Sequence, residues 1–366
     1  MARPTEAIID RQALRDNLAI AQSLATQGKS MPMVKANAYG HGAIEVSKAL
    51  ADVAPAFGVA CIEEALALRD AGIKQPILLL EGTFSSNEVS IAAANNFWLM
   101  VENDKQKDAL LGSSLKQPIN IWLGVDTGMH RLGYNSNTIT KQYRDLSGSS
   151  NVADNIVLAS HLACADDIGS QSTRKQIDRF QQCLSTLNNS SSHNIDWSLA
   201  NSAAVMAWPE SHGSWQRPGY MIYGNSPFSE PQQQAAKLTP AMTFQSAVIS
   251  IREIDSGESV GYTANWTAKR RSTIATITVG YGDGYPRQAP SGTPVLINGH
   301  RCPLVGRVSM DMITIDVTDL PSVSIGDQAI LWGPSLSVTE IATLCNTIGY
   351  ELMTQLSQRV PRRYIN

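Results

Sequence analysis

Residues 56–81, AFGVACIEEALALRDAGIKQPILLLE, decide how the chain folds. Ala56–Cys61 is a short apolar run that suits a buried strand. Ile62–Gly72 follows with apolar positions at helical spacing. Glu63 and Glu64 fall in its first turn, where a helix favours negative charge, and Gly72 is placed to end it. Pro76–Glu81 is a second buried-strand run. Two strands joined by a helix make one βαβ unit, because parallel neighbours need a long crossover and a helix supplies it. The same alternation continues on both sides. Ser30–Lys35, Ala56–Cys61, Pro76–Glu81, Phe97–Val101, Ile119–Val125, Ile156–His161, Ile195–Ala200 and Tyr220–Gly224 give eight strand candidates. Helical patterns at Ala43–Ala51, Asn87–Asn95, after Asn103, and at Asn137–Leu146 and Ser172–Leu187 separate several of them. This alternation predicts an α/β fold with an N-terminal (β/α)8 TIM-type barrel. An open doubly wound sheet is the rival, weakened because no G-x-G-x-x-G follows the first strand.

Beyond Pro231 the period changes. Gln232–Lys237 reads as a linker, and Gln245–Ile254, Thr273–Val279, Pro294–Ile297, Arg301–Val308 and Met312–Val317 read as short strands. Asn298-Gly299 between two of them is a hairpin signal, since both residues tolerate positive φ. Helical character returns at Thr339–Asn346, and Asn188–Ser192 is a polar loop. The 366 residues therefore divide into a barrel over 1–231 and a C-terminal mainly-β domain over 232–366.

Composition excludes several classes. Charged residues are 17% and apolar residues 43%, which does not fit a disordered or coiled-coil chain. The net charge of −3 and the lack of a basic block beyond Lys269-Arg270-Arg271 argue against nucleic-acid binding. Five scattered cysteines without a C-x-x-C pair argue against disulfides and a metal site. No run approaches the roughly 20 apolar residues that span a bilayer. Met1–Asp10 lacks a signal-peptide pattern, so the expected compartment is the cytoplasm, with no membrane partner.

In a barrel of this kind chemistry gathers where strands end. Lys35, Arg131, His161, Asn201, Ser202 and Arg217 are the polar residues at or just beyond those ends. Lys35 closes an apolar run and opens a loop containing Asn37, Tyr39, Gly40 and Gly42. A desolvated lysine has a lowered pKa and can form a Schiff base with an aldehyde. Nearby glycine backbone and a tyrosine hydroxyl suit a phosphate, which together is what a pyridoxal phosphate enzyme requires.

Val34-Lys35-Ala36-Asn37-Ala38-Tyr39-Gly40-His41-Gly42 resembles the cofactor-lysine motif of the alanine racemases. Further similar stretches are Val125–Gly133 (VDTGMHRLG), Ser160-His161, Asn201-Ser202-Ala203 and Arg217-Pro218-Gly219. In the second domain they are Gly261-Tyr262-Thr263, Gly280–Arg287 (GYGDGYPR) and Gly306–Asp311 (GRVSMD). The resemblance covers essentially the whole chain. It implies a barrel that binds pyridoxal 5'-phosphate, a C-terminal β domain, and a head-to-tail homodimer with shared active sites. It implies an isomerase that interconverts L-alanine and D-alanine by two bases, which in bacteria serves D-alanine biosynthesis for peptidoglycan.

Carried onto this chain, the resemblance makes Lys35 the tether of the cofactor and the base toward the D-isomer. Tyr262 from the other subunit becomes the base toward the L-isomer. A tyrosine hydroxyl ordinarily titrates near about 10, so its phenolate needs support, assigned to His161 ordered by Arg217. The resemblance sets the Arg217 guanidinium against the cofactor's ring nitrogen. An arginine cannot take up that proton. Tyr39, Asn201, Ser202, Gly219 and Tyr220 complete the cofactor site, with backbone N–H groups of the last two on the phosphate. Arg131 and the N–H of Met310 receive the substrate carboxylate, Arg307 lines the entrance, and Tyr281 and Asp311 support the shared site.

Two positions depart from the family pattern. Gly124 stands seven residues before Arg131, where many relatives carry a carbamylated lysine. A chloride, a water or another carboxylate is left to serve Arg131. Gln358 replaces a tyrosine that contacts phosphate in many relatives. These departures keep a racemase of broader amino-acid preference as the alternative. A barrel-type decarboxylase needs an acid where Arg217 stands. A non-catalytic carrier of the cofactor lacks the second domain.

Overall fold

A computed structural model describes residues 3–191 and 193–366. Two compact units are present. The first to be built is the barrel, from Leu14–Ala38 and Ala43–Leu238. Among the described residues, the ring is built of eight short parallel strands, Lys29–Ser30, Phe57–Val59, Ile77–Leu79, Phe97–Val101, Ile121–Asp126, Val157–Ala159, Trp197–Ser198 and Trp215–Gln216, with Tyr134–Asn135 paired beside Ile121–Asp126. Phe57 pairs with Ile77, Ile77 with Phe97, Leu99 with Ile121, Trp122 with Val157, and Leu158 with Trp197. The first strand joins the second through a parallel bridge from Met33 to Gly58 and joins the last through Lys29 and Trp215. The Arg217 N–H donates to the Ala200 carbonyl at 2.9 Å, closing the ring between the seventh and eighth strands. Closure rules out the open sheet.

The strands Phe57–Val59, Ile77–Leu79, Phe97–Val101 and Val157–Ala159 carry no polar side chain and do not alternate, because helices cover one face and the barrel interior the other. Phe57–Val59, Ile77–Leu79 and Val157–Ala159 are buried at every position. Trp98, Trp122 and Trp215 pack together, with Trp98 and Trp215 edge to face at 5.3 Å between centroids. Helices Ala43–Leu50, Ile62–Asp70, Asn87–Ala94, Asp104–Leu111, Ile139–Ser147 and Gln171–Ser190 follow the strands in order. Asn188–Ser190 continues the last of these rather than forming a loop, and Ser192 lies outside the described residues. The expected strand Tyr220–Gly224 is a 3-10 turn over Tyr220–Tyr223, ended by Gly224 at φ +80°. All four residues of that turn are buried, so their apolar run carried no period that separates turn from strand. The eighth strand is Trp215–Gln216, too short to announce itself.

The second unit is a mostly antiparallel sheet built around the 13-residue strand Met242–Ile254. Its first half pairs with Glu6–Asp10 and Gln328–Trp332, and beyond an irregularity between Val248 and Ser250 it pairs with Ser272–Ile277. Ile313–Asp316 extends the sheet beside Ser272–Ile277, and Arg362–Ile365 runs parallel to Glu6–Asp10. The N-terminal segment through Ala13 and Tyr39–Gly42 therefore belong to this unit with Thr239–Asn366. Pro294–Ile297 and His300–Pro303 form the expected hairpin, turning at Asn298 (φ +51°) and Gly299 (φ +82°). Among the described residues no helix is long and apolar enough to cross a membrane.

Candidate active site

All six strand-end residues lie in the barrel unit. Lys35 follows the buried run Met31–Val34. Burial pushes its ammonium below the ordinary lysine value, helped by Arg131 and Arg217, while Glu81 and Glu64 oppose. The backbone after Lys35 turns left-handed over four consecutive residues, with Ala36, Asn37, Ala38 and Tyr39 at φ +50° to +54°. Side-chain-bearing residues avoid this region at a cost of about 1–2 kcal/mol each, so the surroundings must hold the turn. Glu64 does so. One of its oxygens accepts from the Ala36 N–H at 2.7 Å and the other from the Ala60 N–H at 2.8 Å. Asn37 Oδ1 accepts from the Ala43 N–H at 2.9 Å. The negative first turn of the helix Ile62–Asp70 thus ties two neighbouring strand ends together.

Arg217 is buried. Its terminal nitrogens donate to the Ser198 hydroxyl and the Ser160 carbonyl, and Nη2 lies 3.4 Å from His161 Nδ1. Burial brings its pKa down to about 10, with Glu102 opposing, so it stays charged at neutral pH. Burial, then Arg217, Arg131 and Lys35, push His161 down to about 3. The ring is therefore neutral. With Nδ1 facing a guanidinium that can only donate, the proton is assigned to Nε2.

Ser202 opens the short helix Ser202–Ala207, capped by Asn201, whose side-chain oxygen accepts from the Ala204 N–H at 3.1 Å. Ser202 Oγ accepts from the N–H groups of Gly219 at 2.9 Å and Met221 at 3.3 Å. Backbone donors thus converge on one oxygen beside Arg217, next to the buried Tyr220. Arg131 follows a turn organised by Asp126, which accepts from the N–H groups of Gly128 at 2.9 Å and His130 at 3.0 Å. Gly133 has to be glycine there: φ is +104°, and a Cβ would come within 2.7 Å of the Asp126 nitrogen.

Glu102, at the end of the strand Phe97–Val101, was not anticipated. Its carboxyl is pushed up to about 7 by burial and by Glu81, while Arg131 and Arg217 pull the other way. Glu64 and Ser198 were missed as well. Glu64 reads in sequence as an ordinary helix-start acid, and Ser198 lies inside a strand.

The remaining predicted residues belong to the other unit. Tyr39 packs against Tyr350 with 6.1 Å between ring centroids, and burial pushes its phenol up to about 12. Tyr262 sits in an irregular turn between Gly261 (φ +77°) and Ala264 (φ +50°) and is 66% exposed. Met310 is 52% exposed and its carbonyl accepts from the Gly282 N–H at 2.9 Å. A Cβ at Gly280 would come within 2.3 Å of the Ser309 carbonyl, so the Gly280–Gly284 loop lies directly on Ser309-Met310. Buried Asp283 fixes that loop. It accepts from the Gly280 N–H at 2.9 Å and pairs with Arg3 and Arg359, and Arg359 also pairs with Asp311 at 2.6 Å. Tyr281 stacks on Arg287, while Arg307 and Gln358 are exposed.

Residues 9–227 match the model of the alanine racemase N-terminal domain, and residues 241–364 match that of the C-terminal domain. The alanine racemase of Chromohalobacter salexigens is 46% identical over 366 residues, covering 100% of this chain and 99% of the relative. The catabolic alanine racemase of Pseudomonas putida is 45% identical, covering 99% of each. The crystal structure of the biosynthetic alanine racemase of Pseudomonas aeruginosa superimposes with a TM-score of 0.93 at 44% identity, covering 100% of both chains. With both domain models matched in order and relatives aligned end to end, the chain belongs to the alanine racemase family.

Proposed function

We propose that this chain interconverts L-alanine and D-alanine, with pyridoxal 5'-phosphate tethered to Lys35 and a site completed by a second copy in a cytoplasmic homodimer. The observation that carries this reading is the joint field of Lys35, Arg131, Arg217 and a neutral His161 at the strand ends of one barrel. The residues present fit the cofactor. The Lys35 amine is pushed toward its nucleophilic neutral form. The phosphate would be held by Tyr39, Ser202 and the N–H groups of Gly219 and Tyr220, at a helix start where the Gly219 N–H already donates to Ser202 Oγ. Asn201 supports that helix start.

When bound, the cofactor would acidify the Cα–H bond by drawing off the electron pair left behind. The chain's own residues would do the rest. Lys35, once its amine is free, would take or return the proton on one face of Cα. Tyr262 of a second copy would do the same on the other, as inversion of a stereocentre requires. The neutral His161 ring, with Nδ1 turned to Arg217, has an Nε2–H to donate to that phenolate. Arg131 would hold the substrate carboxylate in a planar fork, with the Met310 N–H of the second copy beside it. The exposure of Tyr262 and Met310 supports a shared site, since both are otherwise large side chains left in water. Of the three named relatives one is called biosynthetic and one catabolic, and these two match about equally well, so either direction of use suits this chain.

The test joins chemistry to position. Borohydride reduction of the yellow purified protein should label the Lys35 peptide, and untreated protein should abolish the optical rotation of L-alanine. Equal turnover of serine, lysine or arginine would move the reading to the broader racemase. Retained rotation would remove racemisation altogether.

A further inference from the structure

Gly124 lies on the strand Ile121–Asp126, one position beyond the paired residues Val101 and Leu123. Its empty side faces Glu102 on the neighbouring strand. A Cβ at position 124 would stand 2.7 Å from Glu102 Cγ and 3.1 Å from Oε1, closer than real carbon contacts allow. The glycine is therefore what gives the Glu102 carboxyl its space. Of its two oxygens, Oε2 is buried and has no hydrogen-bond partner among the described residues. A buried carboxylate oxygen without a donor is costly unless a cation serves it. Arg131 and Arg217 favour its charged form from beyond ion-pair distance and Glu81 opposes them, while its own N–H donates to Gln106 Oε1 at 2.9 Å.

We propose that Glu102 is the internal anion of this site and a positioning residue for Arg131, orienting its guanidinium for the substrate carboxylate from the space that Gly124 leaves open. The inference rests on the racemase reading above. It selects a protein carboxylate over chloride or water as the anion that serves Arg131. It also explains the glycine, which any larger side chain would displace by pushing Glu102 away.

Ionisation gives the role a signature. The folded carboxyl titrates near about 7, so the anion is absent at lower pH and present at higher pH. In the wild-type enzyme KM for L-alanine should fall as pH rises through that value, while kcat follows its own profile. In Glu102→Gln, which keeps shape and removes charge, KM should rise on the order of tenfold, kcat should change much less, and that pH dependence of KM should vanish. Glu102→Asp should recover part of the loss. Exchange of chloride for gluconate should leave the wild-type KM unchanged. A readout without turnover is thermal unfolding. A carboxyl whose folded pKa is raised favours the native state at low pH and loses that contribution as pH rises, so Glu102→Gln apoprotein should gain Tm over wild type at pH 8 but not at pH 5. Wild-type protein that does not racemise alanine would overturn the function itself. Active wild type beside a Glu102→Gln enzyme with unchanged KM and the same pH profile would overturn only the role of Glu102. A wild-type KM that depends on chloride would do the same.

Discussion

Arg217 shows how much of the chemistry is decided by one side chain. Its guanidinium is held on several sides: the Ser198 hydroxyl and the Ser160 carbonyl accept from it, and His161 Nδ1 lies 3.4 Å away. A group so bound holds a charge and a proton inventory, and it cannot deliver a proton to a bound ring nitrogen. Arg217→Glu should therefore lower racemisation by about a hundredfold or more and raise the share of turnovers that end in pyruvate. A coupled pyruvate assay beside polarimetry reads both, and an unchanged product ratio would contradict the argument. Lys35, Arg131, His161, Ser202 and Arg217 could be picked from the sequence as candidates because they lie at or just beyond strand ends, where a polar residue in a barrel faces the mouth. Glu102 was not, since Val101-Glu102-Asn103-Asp104 reads as a helix start. Asn103 does cap that helix, accepting from the Gln106 N–H at 3.0 Å. The only trace of Glu102's second task was Gly124, a missing side chain on the next strand.

At the scale of elements, the turn after Lys35 is the least ordinary piece of backbone. Ala36, Asn37, Ala38 and Tyr39 are left-handed, and Gly40 at φ +82° and Gly42 at φ +99° continue it. Gly40 is needed twice over, because a Cβ there would lie 1.9 Å from the Met353 carbonyl oxygen. Gly40→Ala should cost about 2 kcal/mol or more, read as a lower denaturant midpoint at constant slope. Exposed Ala36 has the opposite sign, and Ala36→Gly should be neutral or stabilising by up to about 1 kcal/mol. Destabilisation by Ala36→Gly as large as that by Gly40→Ala would refute the strain account. The glycines were legible as a loop, but the left-handed run was not, since alanine and tyrosine give no sign of positive φ. Tyr220–Tyr223 failed in the other direction: four apolar residues packed on all sides look alike as strand and as turn. The Asn298-Gly299 hairpin was readable because its turn chemistry is local.

At the scale of the molecule, the alternation of strands and helices was enough to read the barrel, and the mainly-β second part followed from the change of period after Pro231. What could not be read was the sheet's long-range pairing. Glu6–Asp10 joins Met242–Ile254 and Arg362–Ile365, partners more than 200 residues distant, and no local pattern records such a meeting. Arg3 reaches buried Asp283 in the same way. Tyr262 and Met310 are exposed, as the proposed sharing of a site by two copies requires. The most direct measurement is complementation between two inactive variants, Lys35→Ala and Tyr262→Phe, mixed under subunit exchange. A mixed dimer has one site carrying both changes and one carrying neither. Random reassortment should then restore roughly a quarter of wild-type alanine racemisation. Mixed dimers seen by native mass spectrometry that remain as inactive as their parents would contradict a site made of Lys35 from one copy and Tyr262 from the other.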